Sequence, residues 1–162
     1  MSQLPDPTTS WTSQVIPATC RSDEYNEVAW GIEKYGGQTP KHILMWIPRA
    51  KVTDFTVKYE ILFSGICHGD CNTGTNNWFD CCYPCVSGHE HAGIVTEIGA
   101  MVTKVEVGDK VGVGFFIDSC LDCKMCRKGE ENYCEQGLVG TFNGTKSHGR
   151  VAGNQSLRTF GG

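Results

Sequence analysis

At 162 residues, with a formal net charge of −4 and 40% hydrophobic residues, the chain is long enough for one domain with a real core. Its basic residues are scattered, which excludes the clustered positive footprint of a nucleic-acid binder, and no apolar run approaches the roughly 18 residues of a membrane span. Ten cysteines occur without an apolar signal-peptide core near the N-terminus, so the expectation is an intracellular, reducing compartment, with cytosol and organelle not distinguished.

Residues 1–38 form a polar leader with Pro5, Pro7 and Pro17, closing on Gly36-Gly37. It is expected to be irregular and wrapped on the body or on a partner. Residues 39–162 carry the folded domain. Ile43, Met45 and Ile47 alternate ahead of Pro48 and predict a strand. Phe55, Val57, Tyr59, Ile61 and Phe63 alternate up to Ser64-Gly65 and predict another. Residues 92–98 and 110–116 predict two more, with Gly99 and Gly108-Asp109 as turn signals. Residues 137–162, rich in Gly, Asn and Thr, read as loop. Short strands separated by glycine turns, with little helical periodicity, predict a mainly β fold built as a small barrel.

Within residues 118–136 lies Cys120, Cys123, Cys126 and Cys134, a C-x2-C-x2-C-x7-C pattern. Thiolates this close can chelate one ion from a tight turn, and a fourth from a short return loop closes a tetrahedron. Four sulfurs with no open position suit a structural zinc. Asp122, Lys124, Arg127, Lys128, Gly129, Glu130 and Glu131 fill the spacing with polar or flexible residues, as a surface lobe requires.

A second constellation is Cys67, at a glycine turn after a strand, with His89 and Glu90 just before another. A thiolate, an imidazole and a carboxylate could share a zinc, and Asp70 could accept the free N–H of His89 and fix its tautomer. Spacing alone leaves open that Cys67 and His89 are unrelated and that Glu90 is a buried carboxylate in the loop. Cys71, Cys81, Cys82 and Cys85 either pack as small apolar groups or rebuild a metal site with Cys67 and His89. His91 reads as a satisfied strand residue, His42 and His148 as surface groups, and residues 153–155 as loop.

Gly88-His89-Glu90-His91-Ala92-Gly93, with Gly99 and Val102 behind it, resembles the G-H-E-x2-G-x5-G-x2-V signature of zinc-dependent medium-chain alcohol dehydrogenases. Residues 107–114 resemble that family's barrel turn and strand, and the four-cysteine lobe has its structural-zinc spacing. Gly65-Ile66-Cys67-His68, Glu131-Asn132-Tyr133-Cys134 and Gly140-Thr141-Phe142-Asn143-Gly144 resemble the cinnamyl-alcohol-dehydrogenase-like branch. The resemblance covers about residues 28–162. It implies a GroES-like β-barrel and reversible alcohol oxidation, with zinc as Lewis acid and hydride passing to or from a nicotinamide cofactor. It makes Cys67 and His89 catalytic-zinc ligands, Glu90 an exchangeable carboxylate, Asp70 the partner of His89, and Trp78 and Phe79 part of the loop lining the substrate cleft.

Three positions depart from the family. The proton relay needs a hydroxyl two residues after Cys67 and commonly a histidine three further on, where this chain has Gly69 and Asn72. Ser87 replaces the proline that usually precedes Gly-His-Glu, leaving that turn less rigid. No G-x-G-x-x-G fingerprint of a Rossmann domain occurs. By the resemblance, the barrel's remaining strands, a third zinc-ligating cysteine and the cofactor domain would follow residue 162, so the domain is expected to be truncated relative to the family. The expectation is therefore a zinc-binding, non-catalytic structural or accessory subunit, with a protein partner covering Trp78, Phe79 and the Cys67 loop and with no turnover by the chain alone. The alternative is the N-terminal part of a zinc-dependent alcohol dehydrogenase, NADP-preferring by the branch resemblance.

Overall fold

Strand alternation sends every second side chain to one face, and the computed structural model, which describes residues 16–17, 26–49, 51–79, 81–146 and 157–161, is built mainly of such segments. In chain order they are β1 (Ile16–Pro17), β2 (Asn26–Ile32), β3 (His42–Pro48), β4 (Val57–Ser64), helix α1 (His68–Gly74), β5 (His91–Ile98), β6 (Lys110–Val113), β7 (Phe116–Asp118), β8 (Val139–Gly140), β9 (Thr145–Lys146) and β10 (Leu157–Arg158). They pair as β1-β3-β2, β4-β5-β6, β7-β8 and β9-β10. The mainly β expectation is met.

The central strand β3 behaves as its pattern demands. Met45 and Ile47 are buried and join Val86 and Phe160 in a core against which Ala29 and Ile43 pack. Along β5, His91, Gly93 and Val95 face inward, and the strand pairs antiparallel with β4 and β6.

Four local expectations are corrected. Residues 26–32 are not irregular leader but strand β2, antiparallel to β3 with Ala29 opposite Met45 and Gly31 opposite Ile43. The core-facing positions Ala29 and Gly31 carry almost no side chain, and the period-two apolar signal lies instead in Val28, Trp30 and Ile32, of which Trp30 is exposed and Ile32 buried. Gly31 is needed there, since a Cβ would meet the Cys85 carbonyl, Val86 and Met45 at under 3 Å. Residues 110–116 are two strands, not one. The chain leaves the β5 sheet after Val113 and joins β8 from Phe116, with the Phe115 carbonyl accepting from the Thr141 N–H at 2.7 Å. Residues 137–162 are not simply loop, since they contribute β8, β9, β10 and the buried Val139, Phe142 and Phe160. Pairings of two residues are too short for a period to register. Residues 153–155 and His148 lie outside the described residues, as does most of the leader.

Helix α1 stands where only a glycine turn was expected. Its seven residues include Gly69, Asn72 and Gly74, poor helix formers, and a capping box sets its start. The Cys67 sulfur accepts from the Gly69 N–H, and the Asp70 carboxylate accepts from the Cys67 N–H.

Candidate metal centres

Beyond β7 the chain enters a lobe held by two single-turn 3-10 helices, Cys126–Lys128 and Glu131–Tyr133. It brings the sulfurs of Cys120, Cys123, Cys126 and Cys134 within 4.8 Å of one another. Backbone donors ring them. The Cys120 sulfur accepts from the Cys123 N–H at 3.2 Å, the Cys123 sulfur from Glu135 at 3.4 Å and Cys126 at 3.5 Å, and the Cys134 sulfur from Cys120 at 3.5 Å. These donors favour the charged thiolate. The Cys126 N–H, then that of Glu135, holds the Cys123 thiol down to about 6, and the Cys120 N–H holds Cys134 down. Ser119 lowers the Cys126 thiol, but burial and hydrogen bonds shared with Cys123, Cys134 and Cys120 outweigh it and push that thiol up to about 11. Such a split is how crowded thiols share negative charge. The donor set fits a closed, tetrahedral, all-thiolate zinc.

The second centre gathers donors from separate elements. Cys67 is the N-cap of α1, while His89 and Glu90 sit just before β5, and one donor atom from each lies within 4.8 Å of the others. Asp70 ties the two segments. Its Oδ1 lies 3.1 Å from His89 Nδ1 and accepts the Gly88 N–H at 2.9 Å, and its Oδ2 accepts the Cys67 N–H at 3.0 Å. With Nδ1 engaged, Nε2 is the nitrogen left for a metal. Thiolate, imidazole and carboxylate are a donor set that fits zinc with room for a further ligand. Glu90 is exposed and lies over Gly65, where a Cβ would overlap its carboxylate.

The altered relay positions are now placed. A Cβ at Gly69 would lie 3.5 Å from His89 Cε1, 3.6 Å from Trp78 and 3.7 Å from the Cys67 sulfur. Position 69 therefore faces the centre and offers it no hydroxyl. Asn72 is turned elsewhere, its Oδ1 accepting from Asn77 Nδ2 at 3.1 Å.

The remaining candidates separate. Among the described residues, the clusters of three or more metal-ligating side chains are these two, and Cys71, Cys81, Cys82 and Cys85 join neither. His42 is exposed, as expected. His91 is only half satisfied among the described residues: its Nδ1 lies 2.9 Å from the Tyr59 hydroxyl, while its buried Nε2 has no partner among them. Burial, then the nearby Arg49 charge, lowers its pKa. Trp78 and Phe79 are 55% and 89% exposed. Sequence reasoning missed Phe115 and Phe142, whose rings lie 5.7 and 5.6 Å from that of His89. With Trp78 and Leu138 they line a cleft of about 170 Å³. Phe142 falls in a stretch already singled out by resemblance, whereas Phe115 had no local signal.

A β-rich domain carrying one all-cysteine cluster and one Cys-His-Glu cluster is the plan of a zinc-dependent dehydrogenase's metal-holding domain. The alcohol dehydrogenase GroES-like domain matches residues 53–157, and the chain belongs to that family. The NADP-dependent alcohol dehydrogenase C 1 of Mycolicibacterium smegmatis is 49% identical over 113 residues, covering 66% of this chain and 32% of that protein. Cinnamyl alcohol dehydrogenase 7 of Oryza sativa subsp. japonica is 43% identical over 116 residues, covering 72% of this chain and 29% of that protein. A cinnamyl alcohol dehydrogenase structure from Sorghum bicolor superposes with a TM-score of 0.75 at 36% identity, covering 85% of this chain and 36% of that one. The chain thus spans about a third of the length of these relatives. Among the described residues, no helix is long and apolar enough to cross a membrane.

Proposed function

We propose that this domain binds two zinc ions, one structural at Cys120, Cys123, Cys126 and Cys134 and one at Cys67, His89 and Glu90, and that the second centre is the metal-holding part of an alcohol dehydrogenase site. The observation that carries the reading is the convergence of those three donors within 4.8 Å around an Asp70 that grips both segments. Bound zinc there supplies Lewis-acid polarisation of an alcohol or aldehyde oxygen. The chain's own work is to hold His89 in one tautomer and to seat Cys67 at the start of α1. Trp78, Phe115, Leu138 and Phe142 give the neighbouring cleft an apolar lining. NADP is named for the M. smegmatis relative, and we assign the same nucleotide to a complete enzyme built on this domain, bound outside these residues. Native mass spectrometry should find two zinc ions in the wild type and one in Cys67→Ala. A single ion in the wild type overturns the second centre.

Gly69 and the diverted Asn72 favour a second reading, a metal-holding but non-catalytic accessory subunit. General acid–base help is worth roughly 10²–10⁴-fold where it operates, and neither residue supplies it. Phe63, Ile66, Trp78 and Phe79 are 74%, 91%, 55% and 89% exposed, which supports a protein partner over the Cys67 loop. Native purification should then yield a fixed complex, and a monodisperse monomer would defeat this reading.

A further inference from the structure

We infer that Arg49 is a positioning residue for the second metal centre, acting through the segment at residues 159–161 rather than by contact with the metal. The inference rests on the proposed metal reading of Cys67, His89 and Glu90 and explains how their loop is held. Gly88 has φ of 115°, and Ser87 before it lacks the fixed φ of a proline. The turn presenting His89 therefore needs an external brace, and it is gripped from two sides. On the metal side, Asp70 Oδ1 accepts the Gly88 N–H at 2.9 Å. On the other, the Gly161 N–H donates to the Val86 carbonyl at 2.9 Å. Gly161 also lies so close to the Ser87 and Gly88 carbonyls that an added Cβ would overlap both.

Arg49 holds that brace in place. Its Nη1 donates to the Phe160 carbonyl at 2.8 Å and its Nη2 to the Gly161 carbonyl at 3.0 Å, a two-pronged grip that a planar guanidinium can make and an ammonium cannot match. Its Nε bonds Glu27 on β2 at 3.1 Å, which orients the fork. Phe160 is buried with Met45, Ile47 and Val86, so the segment is fixed by its side chain on one face and by Arg49 along its backbone. The sequence of contacts runs Arg49, Phe160 and Gly161, Val86 to Gly88, then His89.

The test is a cobalt titration of the metal-free full chain, followed by the thiolate-to-cobalt absorption. Cobalt at the all-cysteine lobe serves as an internal control of folding. Wild type should take two equivalents. Arg49→Gln should take the first with unchanged affinity and the second about 10-fold more weakly, the lower end of the loss seen when groups supporting a metal ligand are removed. Arg49→Lys should recover only part of that loss. Gly161→Ala, which keeps Arg49 but displaces the segment from Ser87 and Gly88, should weaken the second equivalent likewise. Equal second-site affinity in wild type, Arg49→Gln and Gly161→Ala overturns the inference and leaves the metal reading standing. One equivalent in the wild type overturns the metal reading and this inference together. Weakening of both equivalents in parallel in Arg49→Gln and Gly161→Ala would show a general fold effect and also overturn it.

Discussion

The two candidate metal centres differ in how their donors are brought together. The four-cysteine lobe draws every donor from fifteen consecutive residues, 120–134, and its backbone N–H groups point back at the sulfurs. The Cys67 centre takes its donors from two segments 22 residues apart and depends on Asp70, and we infer on Arg49, to hold them in register. Short loops close cheaply, so the first needs little from the rest of the fold. The second is only as well formed as the sheets around it.

The largest expected effect tests the autonomy of the lobe. Structural zinc in small modules binds with apparent free energies of roughly 10–16 kcal/mol. Cys123→Ser should therefore unfold residues of the lobe while β3, β4 and β5 persist, seen as loss of hydrogen-exchange protection confined to the lobe. A zinc-free wild type with its lobe intact would break the comparison on this side.

Next comes the dependence of the second centre on its scaffold. Asp70→Asn keeps the shape of the side chain but loses the charge that meets His89 Nδ1 and two backbone N–H groups. Metal affinity at Cys67, His89 and Glu90 should fall 10–100-fold, read by competition with a chromophoric chelator, with the lobe unaffected. Equal affinity would mean that Asp70 does not hold the centre together.

The same contrast decides what was legible in the sequence. The lobe could be read from spacing alone because its donors are local and its filler polar. Cys67 and His89 could be paired only by resemblance, since the twenty-one residues between them carry no sign that the segments meet. Asp70 was foreseen as the partner of His89, but its bonds to Gly88 and Cys67 exist only once α1 and β5 are docked. Strand β2 was missed although Val28, Trp30 and Ile32 alternate along it, because its core-facing positions Ala29 and Gly31 carry no large apolar side chain. Phe115 reaches His89 only because the chain changes sheets after β6.

A smaller effect concerns the far end of α1. The Tyr83 hydroxyl donates to the Gly74 carbonyl at 3.1 Å, and burial, followed by the Cys81 thiol beside it, pushes its pKa up to about 12. A folded pKa raised above the ordinary 10 means that the folded state keeps the proton longer. The stabilisation is complete below pH 10 and is lost as pH rises toward 12. Tyr83→Phe should cost about 1 kcal/mol at neutral pH. Denaturant melts of the two proteins should converge between pH 10 and pH 12, and a gap that widens there would show that the sign is wrong.

The smallest effect sits at Gly69. If the residue were glycine because the backbone requires it, any Cβ would be destabilising. The space says otherwise, since the nearest neighbours of a Cβ are His89, Trp78 and Cys67 at 3.5 to 3.7 Å, ordinary van der Waals contacts, and its φ is not in the left-handed region. Gly69→Ala should therefore stabilise the protein by about 0.5–1 kcal/mol, through the entropy that glycine loses in a helix. The cobalt spectrum of the Cys67 centre should not change, because a methyl adds no ligand. Gly69→Thr should fit as well and place a hydroxyl beside the centre, so its spectrum alone should shift. A loss of stability in Gly69→Ala would mean that α1 approaches His89 more closely than these distances describe, and the glycine would then be a packing requirement of the second centre rather than a missing relay group.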